Sequence, residues 1–429
     1  MNSEQLTMLK IGIHANFQLR SFFCEKTPAK ALETAASMPP KARRAFFALL
    51  FALCSLIFVP SLFAVDVGLV LDQNAEYAGS GDDTAFTYKG IAIPRVTGLA
   101  GDAGDFYISA GFSYKNNPWG FVPEILRTDF NWRSGDMELT IGRMEYGDPL
   151  GYIASGLFDG ARYSQNTDMG EFSVGAWYTG FLYKKRANIE MTENEYTANN
   201  IAIEYNKDFF NTYFAPRRVL AAIDWEHKGF LDRAIARLSL LGQFDLTDEK
   251  INSQYLAGKA TIPYGAFSFD LGGCFELIEA NNEIGSAFAV EAASAWRNDV
   301  HYLSLGAKYT SGESDTLAAF LPLTTNTQGQ ILKPKLSGIA MLSMNYTARL
   351  HEAFSFGLYP AYFLLNDSES IKKDKRMLGA EIFGALYWSP APDIGINLGG
   401  GAFLPTLGNV VPNEKTYWRV ELNVVLSLF

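Results

Sequence analysis

The chain has 429 residues, of which 48% are hydrophobic, 14% aromatic and 19% charged. So many aromatic and apolar residues exclude a disordered chain, and a formal net charge of −10 excludes the basic surface of a nucleic-acid binder. A mean hydropathy of zero with 38 glycines leaves either several soluble domains or one large all-β membrane domain.

The first 64 residues read as an export signal. Ala45 to Phe58 (AFFALLFALCSLIF) is an apolar run of 14 residues, short of the roughly 20 a spanning helix needs. Lys41, Arg43 and Arg44 precede it, and Pro60, Ser61 and the stretch Leu62-Phe63-Ala64 follow. Basic, apolar and then small residues make a secretory signal peptide over 38–64, with cleavage expected after Ala64. Met38 is a conventional start for it, so 1–37 is expected to be an upstream extension, either an over-long n-region or the product of a misassigned start codon. Leu53 directly before Cys54 is too large for a lipobox. The expected mature part, 65–429, carries 29 basic and 43 acidic residues, 29 − 43 = −14. Its one cysteine, Cys274, permits neither an internal disulfide nor a thiolate metal cluster.

From Val65 onward the chain alternates apolar and polar residues with the period of a strand. Val65, Val67, Leu69 and Leu71 alternate. So do Phe106, Ile108, Ala110, Phe112 and Tyr114, and then Leu126, Thr128, Phe130 and Trp132, with Arg127, Asp129, Asn131 and Arg133 between them. Later runs are Met137 to Ile141, Phe172 to Tyr178, Phe267 to Leu277, Leu378 to Trp388 and Trp418 to Leu428. Short connections (Ser134-Gly135-Asp136, Pro263-Tyr264-Gly265, His351-Glu352, Pro390-Ala391-Pro392) alternate with long ones at 180–199, 312–335, 366–375 and 406–416. Aromatics such as Tyr114, Trp132, Tyr178, Tyr205, Trp225, Trp388 and Trp418 stand near the ends of the apolar faces, as at a membrane interface. The polar face holds too many charges for the dry core of a sandwich. Together these features predict an all-β fold, a large antiparallel transmembrane β-barrel over 65–429. About 19 candidate strands are seen, but the short/long phase is lost around 200–216. An even count is needed, so 18 strands are expected, within 16–20. At that size the lumen holds water.

With a terminal Phe429, the chain resembles outer-membrane β-barrel proteins, whose last strand usually ends in an aromatic residue. The apolar positions of that strand are even-numbered, so Phe429 falls on the other parity. The segment from Ile141-Gly142-Arg143 through Leu157-Phe158-Asp159-Gly160-Ala161-Arg162-Tyr163 is similar to a segment of alginate-export-type barrels. These resemblances imply an outer-membrane location and porin-like diffusion of small solutes. The implied partners are outer-membrane lipid, small hydrophilic solutes and the barrel-assembly machinery during insertion. No globular segment between the expected signal and the first strand suggests a plugged, energy-coupled receptor.

No catalytic, cofactor or metal constellation is evident. The mature histidines, His227, His301 and His351, have no partner at helical spacing, and no GxSxG or HExxH occurs. Gly399-Gly400-Gly401 lies within a strand pattern and suggests close packing toward the lumen. Asp82-Asp83 and Asn366-Asp367-Ser368-Glu369 read as solvated loop tips rather than calcium sites.

The alternation assigns Arg127, Asp129, Arg133, Arg162, Glu171, Glu204, Arg218, Asp224, Glu226, Arg233, Arg237, Asp245, Lys259, Asp270, Glu276, Glu291, Lys308, Arg349, Glu381, Arg419 and Glu421 to the lumen. Ten are basic and eleven acidic. Opposed charges of that kind would set a transverse field in an aqueous pore, or would pair across strands and fill it. The balance, with a mature net of −14, predicts weak cation preference. The connection 312–335, read as the longest of the mature chain, contains the apolar run Leu317-Ala318-Ala319-Phe320-Leu321-Pro322-Leu323. Such a run seeks a surface to pack on. Leu317, Phe320, Leu321 and Leu323 are therefore constriction-loop candidates, with an outer lid or an external partner as alternatives. The function expected is a non-enzymatic channel for small hydrophilic solutes. The alternative is a structural or adhesive protein acting through its outer loops.

Overall fold

The computed structural model describes residues 65–428, apart from 117–118, 192, 248–249, 281–282 and 315. The expected signal peptide over 38–64, the segment 1–37 before it and Phe429 lie outside the described residues.

Nineteen strands run in chain order. The first seven are β1 (Val65–Ser80), β2 (Asp83–Ala100), β3 (Gly104–Asn116), β4 (Trp119–Ser134), β5 (Met137–Gly147), β6 (Ser155–Thr167) and β7 (Gly170–Tyr178). Two helices, α1 (Glu193–Asn200) and α2 (Phe209–Tyr213), interrupt the pattern. Then come β8 (Arg218–Phe230), β9 (Ala234–Asp245), β10 (Ile251–Tyr264), β11 (Phe267–Ala280), β12 (Glu283–Arg297), β13 (His301–Thr310), β14 (Ile339–His351), β15 (Phe354–Leu358) and β16 (Ala361–Leu365). After the short helix α3 (Ser368–Lys372), β17 (Met377–Ala391), β18 (Ile394–Leu404) and β19 (Tyr417–Leu428) complete the sheet. Each strand pairs antiparallel with its neighbours, and β1 pairs with β19 from Leu69↔Leu428 to Ser80↔Tyr417. The β1–β19 pairing closes the sheet into a barrel.

The stave count is eighteen, because β15 and β16 are halves of one stave. Both pair with β14 on one side and β17 on the other. Pro360 lies at the break and has no N–H to give the ladder. Hydrogen bonds from Met344 N–H to the Pro360 carbonyl (3.0 Å) and from Tyr359 N–H to the Phe383 carbonyl (2.7 Å) carry the pairing across it. The element lost to the phase error lies at 200–216. Ile201, Ile203 and Tyr205 alternate like a strand, yet they belong to a loop spanning 179–217. That loop, not 312–335, is the longest connection.

One parity of every run faces outward. Ile108, Val174, Leu256, Leu271 and Leu305 are each about half exposed, at 49–59%. A contiguous apolar surface of this kind is what lipid covers. The other parity carries polar side chains and small buried residues such as Ala257, Cys274, Ala287 and Ala289. All connections at one end are tight (101–103, 135–136, 168–169, 231–233, 265–266, 298–300, 352–353, 392–393), while the long loops gather at the other. A β-bulge between Ser109 and Ala110 opposite Leu126 keeps both Glu124 and Arg127 facing inward.

Candidate solute pathway

The inner wall bears charges that pair with near neighbours rather than across the lumen. Arg127 is ion-paired with Asp129 on its own strand and lies 4.7 Å over the Tyr107 ring. Arg133, near the tight-turn end, bridges Asp105 (2.6 Å) and Glu138 (2.9 Å). Arg162 of β6 meets Glu171 of β7 at 3.8 Å and Ser173 at 3.0 Å. Arg237 meets Glu226 at 2.6 Å, and Lys259 meets Glu291 at 2.9 Å. Arg419 lies between Glu76 (3.5 Å) and Glu421 (3.4 Å) and over the Phe383 ring at 5.5 Å. A Cβ on Gly399 would stand 2.5 Å from that same ring, so the glycine lets Phe383 lie flat on the wall. Side-by-side pairs cancel at a distance, which weakens any field across the lumen. A recess of about 270 Å³ opens at Arg162, Glu171, Ser173, Asp224, Glu226 and Arg237. Asp148 of the adjoining turn also lines it, so the recess is bordered by two cations, four acids and a hydroxyl, and Asp224 also accepts from the Tyr146 hydroxyl at 3.1 Å.

Four of the expected lumen charges are placed otherwise. Glu204 is an exposed residue of the 179–217 loop, not of a strand. Arg233 ends a tight turn in which Leu231 and Asp232 take positive φ (47° and 71°), and its guanidinium stacks 5.7 Å from Tyr264. Because Tyr264 has the outward parity of β10, Arg233 belongs to the rim and not to the pore lining. Arg218 is 1% exposed and bridges Glu195 and Asp245, both at 2.7 Å. It ties the long loop to the barrel mouth. Arg349 is exposed at the tight-turn end of β14, beside a register shift.

The apolar run of the 311–338 loop packs against the inner wall. Phe320 and Leu323 are 0% and 1% exposed, in one cluster with the inward residues Tyr255, Ala257, Cys274, Ala287 and Ala289. Leu317 and Leu321 are half-buried. The Tyr255 hydroxyl donates to the Leu321 carbonyl at 2.7 Å, and Leu321 N–H donates to Glu276 at 2.9 Å. Further along, Glu381 accepts N–H bonds from Gln330 (2.6 Å), Ile331 (3.0 Å) and Leu332 (3.1 Å). Gly329 next to them has φ +75°, and a Cβ there would stand 2.5 Å from the Glu381 carboxylate, so both backbone and space require glycine.

Two more segments lock onto this one. Thr324 N–H reaches the Ile153 carbonyl (3.1 Å), and Glu190 N–H reaches the Leu323 carbonyl (2.9 Å). The 148–154 turn is organised by Asp148, whose carboxylate accepts from Leu150, Gly151, Ile153 and Ala154 at 2.8–3.0 Å. Burial pushes the Asp148 carboxyl above its ordinary value, against the lowering effect of those bonds. Lys308 approaches this knot from the wall, 4.7 Å over the Tyr152 ring and 3.3 Å from Gln328. Sequence reading missed Asp148 and Tyr152. The signal was present in Asp148-Pro149-Leu150-Gly151, a turn-initiating pattern at the long-loop end of β5. The acidic stretch 366–369 has a local role, since Asp367 caps α3 by accepting from Ser370 N–H at 2.8 Å.

No family model matches the chain, and no curated protein does. Solved structures do match by fold. Pseudomonas aeruginosa OccK2 (OpdF) in complex with glucuronate is 13% identical with a TM-score of 0.58, over 85% of this chain and 98% of that one. Pseudomonas aeruginosa OpdK with vanillate is 11% identical with a TM-score of 0.58, over 85% and 98%. Acinetobacter baumannii OccAB1 is 10% identical with a TM-score of 0.58, over 85% and 97%. At such identities the likeness is one of fold, that of the large outer-membrane barrel.

Proposed function

We propose that the chain is an outer-membrane channel for the diffusion of small hydrophilic solutes, with the segment 317–332 as its constriction. The observation that carries this reading is the inward docking of that segment, pinned by Glu276 and Glu381 on opposite sides of the 311–338 loop. An adhesive loop would turn its apolar run toward a partner outside, and this one turns it to the inner wall. Solutes bound in the solved neighbours, glucuronate and vanillate, are small and carry polar groups. Here the wall arginines are matched by carboxylates, so the passage suits neutral polyhydroxylated solutes and small cations better than strong anions. Surface acid outside the lumen adds a weak cation preference, screened within about 10 Å at 0.1 M salt. Ala64–Val65 is the signal cleavage site in this reading, and the barrel is delivered to the outer membrane. Planar-bilayer recording tests the proposal. Discrete conductance steps with a modest cation-selective reversal potential that fades at high salt are expected. No conductance from correctly folded protein would exclude a channel, and strong anion selectivity would mean that the arginines control the narrowest ring.

A further inference from the structure

The barrel wall is incomplete between β4 and β5. Their ladder runs from Ser134↔Met137 up to Thr128↔Arg143 and stops there. Beyond it β4 continues to Trp119 while paired only with β3, and β5 continues to Gly147 while paired only with β6. A strand presents alternate carbonyls to one side, and the carbonyls of Phe121, Pro123 and Ile125 are met by side chains instead of a strand. The Tyr205 hydroxyl donates to Phe121 at 3.0 Å, the Tyr213 hydroxyl donates to Pro123 at 2.8 Å, and the Arg143 guanidinium donates to Ile125. Arg143 holds Asp159 at 2.8 Å and also donates to the carbonyl of Phe181 at 2.9 Å. On the inner side of the same opening, Arg186 of the loop pairs with the buried Glu124 at 2.8 Å. The 179–217 loop thus fills a notch in the wall, and aromatics fill it: Phe209 stacks on Tyr213 (4.8 Å), and Phe210 stacks on Phe214 (5.9 Å).

The outer face of this filling is apolar and open. Phe210 is 75% exposed, Phe181 61% and Tyr205 49%. The face is continuous with the lipid-facing wall, since the Phe181 ring lies 4.9 Å from Tyr178, the last outward residue of β7. On the other flank Phe121 stacks on Phe112 of β3 at 6.3 Å. A loop bathed in water would not extend the membrane-facing surface with exposed phenylalanines. We propose that Phe181, Tyr205 and residues 209–214 form an aromatic stopper that replaces the missing β4–β5 ladder, with outer-leaflet lipid chains as the ligand of its exposed face. These residues are then a part of the membrane-embedded wall rather than of the aqueous mouth.

Spin-label accessibility in the full chain reconstituted in lipid vesicles tests this. The three cysteines, Cys24, Cys54 and Cys274, are replaced by alanine, and single labels are placed by Phe210→Cys, by Val174→Cys on the lipid wall, and by Glu313→Cys on an aqueous loop. Collision with lipid-soluble oxygen relative to a water-soluble nickel chelate should match at 210 and 174, and should exceed the ratio at 313 by about fivefold. A ratio at 210 equal to that at 313 puts the rings in water and overturns the proposal. If the label at 210 prevents folding, Phe181→Cys carries the same two outcomes. The wall role has its own readout: Tyr205→Phe with Tyr213→Phe removes two hydroxyls, and amide exchange over 120–127 should rise about tenfold while 128–134 is unchanged. Unchanged exchange over 120–127 would mean the notch is sealed without the stopper, and would overturn it.

Discussion

Replacing Glu381 isolates the anchor of the inward loop. Its carboxylate holds the N–H groups of Gln330, Ile331 and Leu332 and is 2% exposed. A hydrogen bond to a charged group contributes about 1.5–3 kcal/mol, and three bonds sharing one carboxylate are not additive. A net loss of about 2–3 kcal/mol is expected for Glu381→Ala, which raises the population of undocked loop by about 30- to 150-fold. Glu381→Gln keeps one acceptor oxygen and should fall between. Two assays follow the loop independently. Single-channel recording should show larger or noisier openings in the order wild type, Gln, Ala. Trypsin should cut after Lys335 faster in the same order, because Leu336, now 1% exposed, must leave its packing for the bond to be reached. Equal conductance, gating noise and cleavage across the three proteins would refute the reasoning.

Gly329→Ala attacks the same contact from the loop side, combining a positive φ with a Cβ against Glu381; it should reproduce the gating noise of Glu381→Ala with the carboxylate intact. Arg218→Met takes the guanidinium away from the fully buried Asp245 carboxylate and from Glu195, a loss of about 3–5 kcal/mol. Its folded, fast-migrating band on unboiled gels should convert to the unfolded position at a lower temperature than wild type. The helix cap at Asp367 titrates: its carboxyl is held below the ordinary 3.8 mainly by the Ser370 side chain, with backbone N–H bonds in support. A depressed acid adds stability above its unfolded pKa and loses it as pH falls through the folded one. Amide protection over 368–372 should therefore hold from neutral pH down to the ordinary aspartate range and drop below it; protection that is flat to strongly acid pH would contradict the cap.

The barrel was legible because lipid on one side and water on the other impose a period of two on each stave. Leu271, Phe275 and Leu277 read outward, while Asp270, Gly272 and Glu276 read inward, and the register with β12 keeps them so. What failed were features that pattern alone does not contain. Ile201, Ile203 and Tyr205 alternate, but alternation makes a strand only where a partner edge is available, and the neighbouring staves β7 and β8 are already paired with each other. Arg233 has the inward parity of β9, yet positive φ at Leu231 and Asp232 turns the chain before the strand begins. The split at Pro360 was readable in principle from the proline. The apolar run at 317–323 was visible as one needing cover, whereas the carboxylates that seat it, Glu276 and Glu381, looked like any other lumen charges. Their role depends on a loop that returns from far along the chain.

The anchors of the inward loops grip main chain. Glu381 takes three N–H groups and Asp148 four, and Glu276 takes the N–H of Leu321. A peptide N–H is the same whatever side chain follows it, proline excepted. The side chains of 330–332, exposed at Gln330 and only partly buried at Ile331 and Leu332, can therefore change by mutation without breaking the bonds that hold the loop, whereas Leu150, Tyr152, Ile153 and Ala154 of the 148–154 turn are core and are not free to change. What the passage admits can drift over evolutionary time while its architecture stays put, and laboratory libraries at 330–332 should yield a high fraction of folded barrels.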